Sequence, residues 1–125
     1  MTIAYWCVLT CAIMPYLLIV FAKAACPNLD NRKPRESLDT LTGWPQRAAW
    51  AQANAFESFP MFAAAVIIAS LIEKIDSTLI DTLAVSYVLS RIVYSICYVF
   101  DRHILRSTAW CIGVAIWFSL FVMSA

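Results

Sequence analysis

Hydrophobic residues form four long runs along this chain, at positions 1–25, 48–72, 77–100 and 107–125. Each run holds 19 to 25 residues, close to the roughly 20 that an α-helix needs to cross a hydrocarbon core of about 30 Å. Membrane-barrel strands are about 10 residues long and alternate in polarity, whereas these runs are longer and do not alternate. The pattern therefore predicts four transmembrane helices, at about 1–25, 46–72, 77–100 and 107–125.

The polar breaks between these runs predict how the helices are arranged. The first break, a loop at 26–44, is long and charged, whereas the breaks at 73–76 and 101–106 are short. Because short connections make consecutive helices antiparallel neighbours, we expect a single all-α domain over 1–125, a four-helix antiparallel bundle. Pro45 suits the first turn of the second helix, while the interior Pro15 and Pro60 are expected to bend their helices.

The composition agrees with an integral, multi-pass protein of the lipid bilayer. Hydrophobic residues make up 62% of the chain, charged residues 14%, and the mean hydropathy is +0.75, which is more apolar surface than one soluble core needs. The net charge of +1 gives no reason to expect a nucleic-acid partner. His103 stands alone and the five cysteines have no Cys-x-x-Cys spacing, so no metal site is expected and the cysteines are interpreted as small buried residues.

Basic residues predict the orientation in the membrane. Seven lie in or beside the first and third loops, and one, Lys74, lies in the second loop. By the positive-inside rule, loops 1 and 3 are expected in the cytoplasm and both termini on the outer side.

Polar residues recur along one face of two of these helices. They are Arg47, Asn54 and Glu57 in the second helix, and Arg91, Tyr94 and Tyr98 in the third. At 3.6 residues per turn, each set of three falls on a single helical face. An ionisable group at membrane depth costs at least about 2.5 kcal/mol, and it is retained where it pairs inside the protein or lines a watery cavity.

The depths of these residues indicate a shared site. Counted at about 1.5 Å per residue from the cytoplasmic helix ends, Asn54 and Glu57 lie roughly 14 to 18 Å deep and Arg91 roughly 15 Å deep. A polar cleft that opens to the cytosol would explain both sets. The alternative is a structural role, in which Glu57 and Arg91 form a buried ion pair that sets helix register and Asn54 bonds across helices.

These residues carry a resemblance to a known family. The chain has Arg-Ala-x-x-Ala-x-x-Asn-x-x-Glu-x-x-Pro at 47–60, Arg-x-x-Tyr-x-x-x-Tyr at 91–98 and Leu-Arg-Ser at 105–107. In these motifs, in size and in loop pattern it resembles the MAPEG family, the membrane-associated proteins in eicosanoid and glutathione metabolism, which has many bacterial members. The resemblance spans nearly the whole chain and implies a homotrimer.

The resemblance also implies a glutathione site on the cytoplasmic side, between subunits. Asn54 and Glu57 would hold polar ends of the tripeptide, with Glu57 on the γ-glutamyl ammonium. Arg91 would hold a carboxylate or brace Glu57, and Tyr94 and Tyr98 would donate hydrogen bonds to the peptide.

The catalytic group implied by the resemblance is Arg106. A thiol with a pKa near 8.5 is a poor nucleophile at neutral pH, and an adjacent guanidinium favours the ionised form. Glutathione-binding members usually have an arginine four residues before the asparagine, where this chain has Trp50. Arg47, one turn earlier, is the expected substitute for that cation.

Two functions from different classes follow from the resemblance. The leading one is a glutathione-dependent transferase or peroxidase acting on lipophilic small molecules at the membrane. The alternative is a non-catalytic lipid-binding or scaffold protein resembling the 5-lipoxygenase-activating protein, which Trp50 favours. A purely structural membrane bundle is the third reading.

The orientation can be tested by cysteine labelling in intact cells, in a background that lacks the native cysteines. A cysteine at Ser77 should react with an impermeant maleimide, and one at Asp39 should not, because the second loop is expected outside and the first inside. The reverse labelling pattern would invert the orientation.

Overall fold

The computed structural model describes residues 1–26, 30 and 32–125. Its helices are α1 (Ile3–Ala24), α2 (Pro34–Asp39), α3 (Trp44–Ile72), α4 (Ser77–Val99) and α5 (His103–Ser124). Four of them, α1, α3, α4 and α5, are long and apolar enough to cross a membrane. The described part of the chain contains no strand. The predicted all-α, four-helix membrane fold is therefore confirmed.

The described part of the first loop contains a short helix that its polar composition does not predict. Within 26–44, the six-residue helix α2 begins at Pro34, which occupies its first turn, a position where the missing proline N–H is no loss. Helix α3 begins at Trp44, with Pro45 again in the first turn. Positions 27–29 and 31 of the predicted loop lie outside the described residues.

The connection between α4 and α5 is shorter than predicted, because α5 begins at His103 and not at 107. Asp101 adopts a left-handed backbone conformation, with φ of 58°. The Arg102 N–H donates to the Cys97 carbonyl at 2.8 Å, and the Asp101 N–H donates to the Tyr98 carbonyl at 3.2 Å. These are the two hydrogen bonds of a Schellman motif. The polar segment is thus a tight helix-to-helix turn, with only 100–102 between the two helices.

Helices α3 and α4 form the centre of the bundle, since each of them packs against both α1 and α5. The rings of Phe62 and Tyr87 stack at 3.9 Å between these two helices, and the Tyr87 hydroxyl donates to the Ser58 carbonyl at 3.3 Å. Fully buried alanines, Ala65 and Ala84 among them, let the helix backbones approach closely, as small residues do in membranes.

An unpredicted contact fixes the other end of the bundle. Asp81 of α4 accepts a hydrogen bond from the Ala4 N–H at 2.7 Å. The carboxylate thereby satisfies one of the free N–H groups in the first turn of α1, at the positive end of the helix dipole.

Gly113 of α5 packs closely against α4. A Cβ atom there would lie 3.2 Å from Ser90 Oγ and 3.8 Å from Arg91 Cδ. The absence of a side chain at this position therefore lets α5 close over the part of α4 that carries Arg91.

Gly113→Ala is expected to destabilise the bundle by about 1–3 kcal/mol, because the new methyl group overpacks this contact. Ser90→Ala removes Ser90 Oγ, the atom nearest to the new methyl group. The double variant should therefore regain much of the lost stability. Equilibrium unfolding in mixed detergent micelles measures both effects, with Ile112→Ala, on the exposed side of α5, as the control. A double variant no more stable than Gly113→Ala would contradict this account of the contact.

Candidate functional site

A cavity of about 390 Å³ lies between α3, α4 and α5, at the end of the bundle where α4 turns into α5. It is lined by Asn54, Tyr94, Tyr98, Arg106, Ser107, Trp110 and Cys111. Four of these residues, one on α3, two on α4 and one on α5, are candidate site residues from the sequence. The structure thus brings the main elements of the predicted site together in one chain.

Helix periodicity and the tight turn explain this convergence. Tyr94 and Tyr98 stand one turn apart on α4, so their side chains follow the same face. The Schellman turn then reverses the chain within three residues, which places Arg106 in the first turns of α5 beside Tyr98. Arg106 Cζ lies 4.4 Å from the centre of the Tyr98 ring, a cation–π contact.

A hydrogen-bonded chain leads from α4 to α3 at the same level. Arg91 Nη2 donates to Asn54 Oδ1 at 2.7 Å, and Asn54 Nδ2 donates to Glu57 Oε2 at 3.3 Å. Arg91 Cζ also lies 4.3 Å from the centre of the Tyr94 ring. Arg91 itself is only 3% exposed, whereas Glu57 is exposed.

The buried ion pair that was the alternative reading of Glu57 and Arg91 is not formed. The one salt bridge among the described residues joins Lys33 and Glu36 in the first loop. Asn54 stands between the two charged groups and bonds to both. Counting residues from the helix ends placed Glu57 and Arg91 at one depth in the membrane. That count carries no information on which side chain fills the space between them.

Arg47, the remaining candidate site residue, lies at the end of α4 and not at the cavity. Its Nε donates to the Val99 carbonyl at 2.9 Å, so it satisfies one of the free carbonyls in the last turn of α4. It is not among the residues that line the cavity. Trp50, one turn further along α3, lies instead beside Tyr98, with ring centres 6.4 Å apart.

Three residues that line the cavity were not predicted as site residues: Ser107, Trp110 and Cys111. They follow Arg106 on one face of α5, at spacings of one, four and five residues. Cys111 was interpreted as a small buried residue, whereas it is exposed. The four-residue spacings from Arg106 to Trp110 and from Ser107 to Cys111 make each pair neighbours on the helix, and this is the signal that would have found them.

The cavity combines the guanidinium of Arg106 with aromatic and apolar walls. The exposed Glu57 and the buried Arg91 do not line it, but both are hydrogen-bonded to Asn54, which does. Counting these three groups, the site has a net charge of +1. Such a site suits a polar ligand that carries both signs and an excess negative charge. No three His, Cys, Asp or Glu side chains come together within the described residues.

A second cavity, of about 460 Å³, lies at the opposite end of the bundle around Lys74 and Asp76. Two of its three carboxylates are engaged in helix capping: Asp76 accepts from the Thr78 N–H at 3.0 Å, and Asp81 caps α1. The third belongs to Glu73. None of the candidate site residues lines it.

Comparison with curated proteins and with solved structures gave no match. The model of the MAPEG family, by contrast, matches residues 3–125, which is essentially the whole chain. The match covers all four membrane-spanning helices and every residue of the site described above. This protein therefore belongs to the MAPEG family.

Proposed function

We propose that this protein binds glutathione in the cavity between α3, α4 and α5 and uses its thiol as a transferase or peroxidase on lipophilic electrophiles. The MAPEG family includes both glutathione-dependent enzymes and non-catalytic members, so the proposal depends on the site. The observation that carries it is the pair of hydrogen bonds that links Arg91 to Asn54 and Asn54 to Glu57. Asn54 and Arg106 line the same cavity.

Charge and size support this ligand. Glutathione carries two carboxylates and one ammonium group, so its net charge is about −1 at neutral pH. The site, counted over Arg106, Arg91 and Glu57, offers the complementary +1. A cavity of about 390 Å³ lies within the range of roughly 300–1,000 Å³ that is usual for small-molecule sites.

Arg106 is the proposed activating group. Its guanidinium borders the cavity and favours the thiolate over the thiol, which raises the fraction of nucleophile at neutral pH. In transfer, the sulfur donates an electron pair to an electrophilic carbon, and the leaving group departs with its bonding pair. In peroxide reduction, the sulfur attacks one oxygen and becomes a sulfenic acid, the O–O bond breaks, and the other oxygen leaves as an alkoxide that takes up a proton to form the alcohol. A second glutathione then releases water from the sulfenic acid and forms the disulfide.

The proposed setting is a homotrimer in the bilayer, with loops 1 and 3 in the cytosol. The cavity would then open at the cytosolic end and receive glutathione from water. Lipophilic substrates would reach it from the side, past Trp110, which is 45% exposed on α5. A neighbouring subunit would close the open side of the cavity.

Trp50 supports the alternative, a lipid-binding scaffold without catalysis. It is 50% exposed and lies against Tyr98, so an aromatic side chain stands where glutathione-binding members carry a cation. Arg47 does not replace that cation in the described chain, because it is bonded to the end of α4 and lies outside the cavity.

Ultraviolet thiolate absorbance separates the two functions. Adding glutathione to the detergent-purified protein near neutral pH should raise this absorbance, because Arg106 lowers the pKa of the bound thiol. Arg106→Ala should abolish the signal while changing the dissociation constant about threefold or less. Asn54→Ala should weaken binding itself about tenfold, because it removes hydrogen bonds to groups that stay polar whether or not the thiol is ionised.

Calorimetric titration provides the matching binding constants, and Arg102→Ala, an exposed arginine outside the cavity, is the matched control. Binding without thiolate absorbance in the wild-type protein would indicate a ligand-holding role without activation. No binding at millimolar glutathione would overturn the proposal in favour of the scaffold.

A further inference from the structure

A hydrophobic groove runs between α1 and α4, on a different face of α4 from the candidate functional site. It comprises two adjoining cavities, of about 360 and 230 Å³, which share Leu18 and Phe21 of α1 and Ser95 and Ile96 of α4. None of the residues that line the candidate functional site lines this groove. The groove is therefore a separate feature of the bundle.

Helices α1 and α4 pack closely at one end of the bundle and leave a gap at the other. Near the start of α1, Ala4 and Ala84 are fully buried in one cluster. Towards the end of α1, large exposed side chains of both helices, such as Leu17 and Ile96, line the groove instead. The groove is the space that remains between the two helices at this end.

The walls of the groove present mainly hydrocarbon. Two hydroxyl groups line it, and both donate within their own helices: Thr10 Oγ1 to the Trp6 carbonyl at 2.9 Å, and Ser95 Oγ to the Arg91 carbonyl at 2.9 Å. A polar occupant would lose its hydrogen bonds to water without replacing them here. The chemistry of the walls therefore favours a hydrocarbon chain.

The length of the groove distinguishes a lipid tail from a helix of a second copy. Along α1 it extends from Thr10 to Phe21, which is roughly 16 Å at about 1.5 Å per residue. This is about half of a hydrocarbon core of about 30 Å, the depth of a single leaflet. A membrane-spanning helix would need a groove along the whole bundle, whereas one acyl chain fills one leaflet.

The outer end of the groove has the charge that an anionic head group requires. It is lined by Trp44 and Phe100, and tryptophan is typical of the head-group level. Lys23, two residues beyond Phe21, has a half-buried side chain and pairs with no described carboxylate. Seven basic and four acidic residues lie in or beside loops 1 and 3 at this end. Such an excess attracts anionic lipids.

We propose that the α1–α4 groove binds one acyl chain of a phospholipid with a negatively charged head group, whose phosphate pairs with Lys23. The site is independent of the proposed glutathione site, because the two share no lining residue.

The head-group contact can be tested by native mass spectrometry of delipidated, detergent-purified protein titrated with dioleoyl phosphatidylglycerol or dioleoyl phosphatidylcholine. The wild type should retain one phosphatidylglycerol per chain and bind it about fivefold more tightly than phosphatidylcholine, as expected for one basic residue at an anionic head group. Lys23→Gln should bring this ratio close to one. Lys33→Gln, at an exposed lysine that pairs with Glu36, should leave it unchanged.

The tail contact is tested by filling the groove. Leu18 lines both cavities, so Leu18→Trp should weaken both lipids about tenfold by displacing buried methylene groups. Val20→Trp, at a position of α1 that is 62% exposed and lies outside the groove, should bind as the wild type does. Ile96→Trp fills the same space from α4 and replaces Leu18→Trp where that variant does not fold.

Three results would overturn the proposal. Equal binding of the two lipids by the wild type would remove the head-group contact. Unchanged lipid binding in both groove-filling variants would indicate only the general lipid shell of a membrane protein. A change in the number of subunits in these variants, without loss of a bound lipid, would assign the groove to a second copy of the chain.

Discussion

The guanidinium of Arg91 lies inside a membrane-spanning helix with 3% of its surface exposed, and the surrounding helices are arranged around this charge. Helix α3 supplies the Asn54 oxygen at 2.7 Å, and α4 supplies the Tyr94 ring beneath it. A buried charge without such partners costs several kcal/mol. The bundle therefore needs α3 and α4 in one register, and that same register places Asn54 and Tyr94 at the cavity.

Close helix packing makes this register possible. Tyr87 stacks on Phe62 across the α3–α4 contact, and Gly113 lets α5 approach the same part of α4. The turn at Asp101 then returns the chain so that Arg106 lies over Tyr98. Packing, turn and buried charge thus act on one end of the bundle, where the proposed glutathione site lies.

Hydropathy predicted the four spans because each apolar run is long enough to cross a bilayer, and helical periodicity predicted the shared faces of Asn54, Glu57, Tyr94 and Tyr98. What the sequence could not predict depended on rotation and backbone geometry. The depth count placed Glu57 and Arg91 at one level, but it could not predict that the Asn54 amide lies between them. The start of α5 was misplaced because its turn uses an aspartate, and not a glycine, in the left-handed conformation.

The most direct test of a glutathione site in this cavity uses its own cysteine. Cys111 lines the cavity and is exposed, whereas Cys26 lies outside it. S-hexylglutathione, which has no free thiol, should slow the alkylation of Cys111 by N-ethylmaleimide in the detergent-purified protein and leave the rate at Cys26 unchanged, as followed by mass spectrometry of the labelled peptides. Alkylation of Cys111 at the same rate with and without saturating S-hexylglutathione would contradict a glutathione site between α3, α4 and α5.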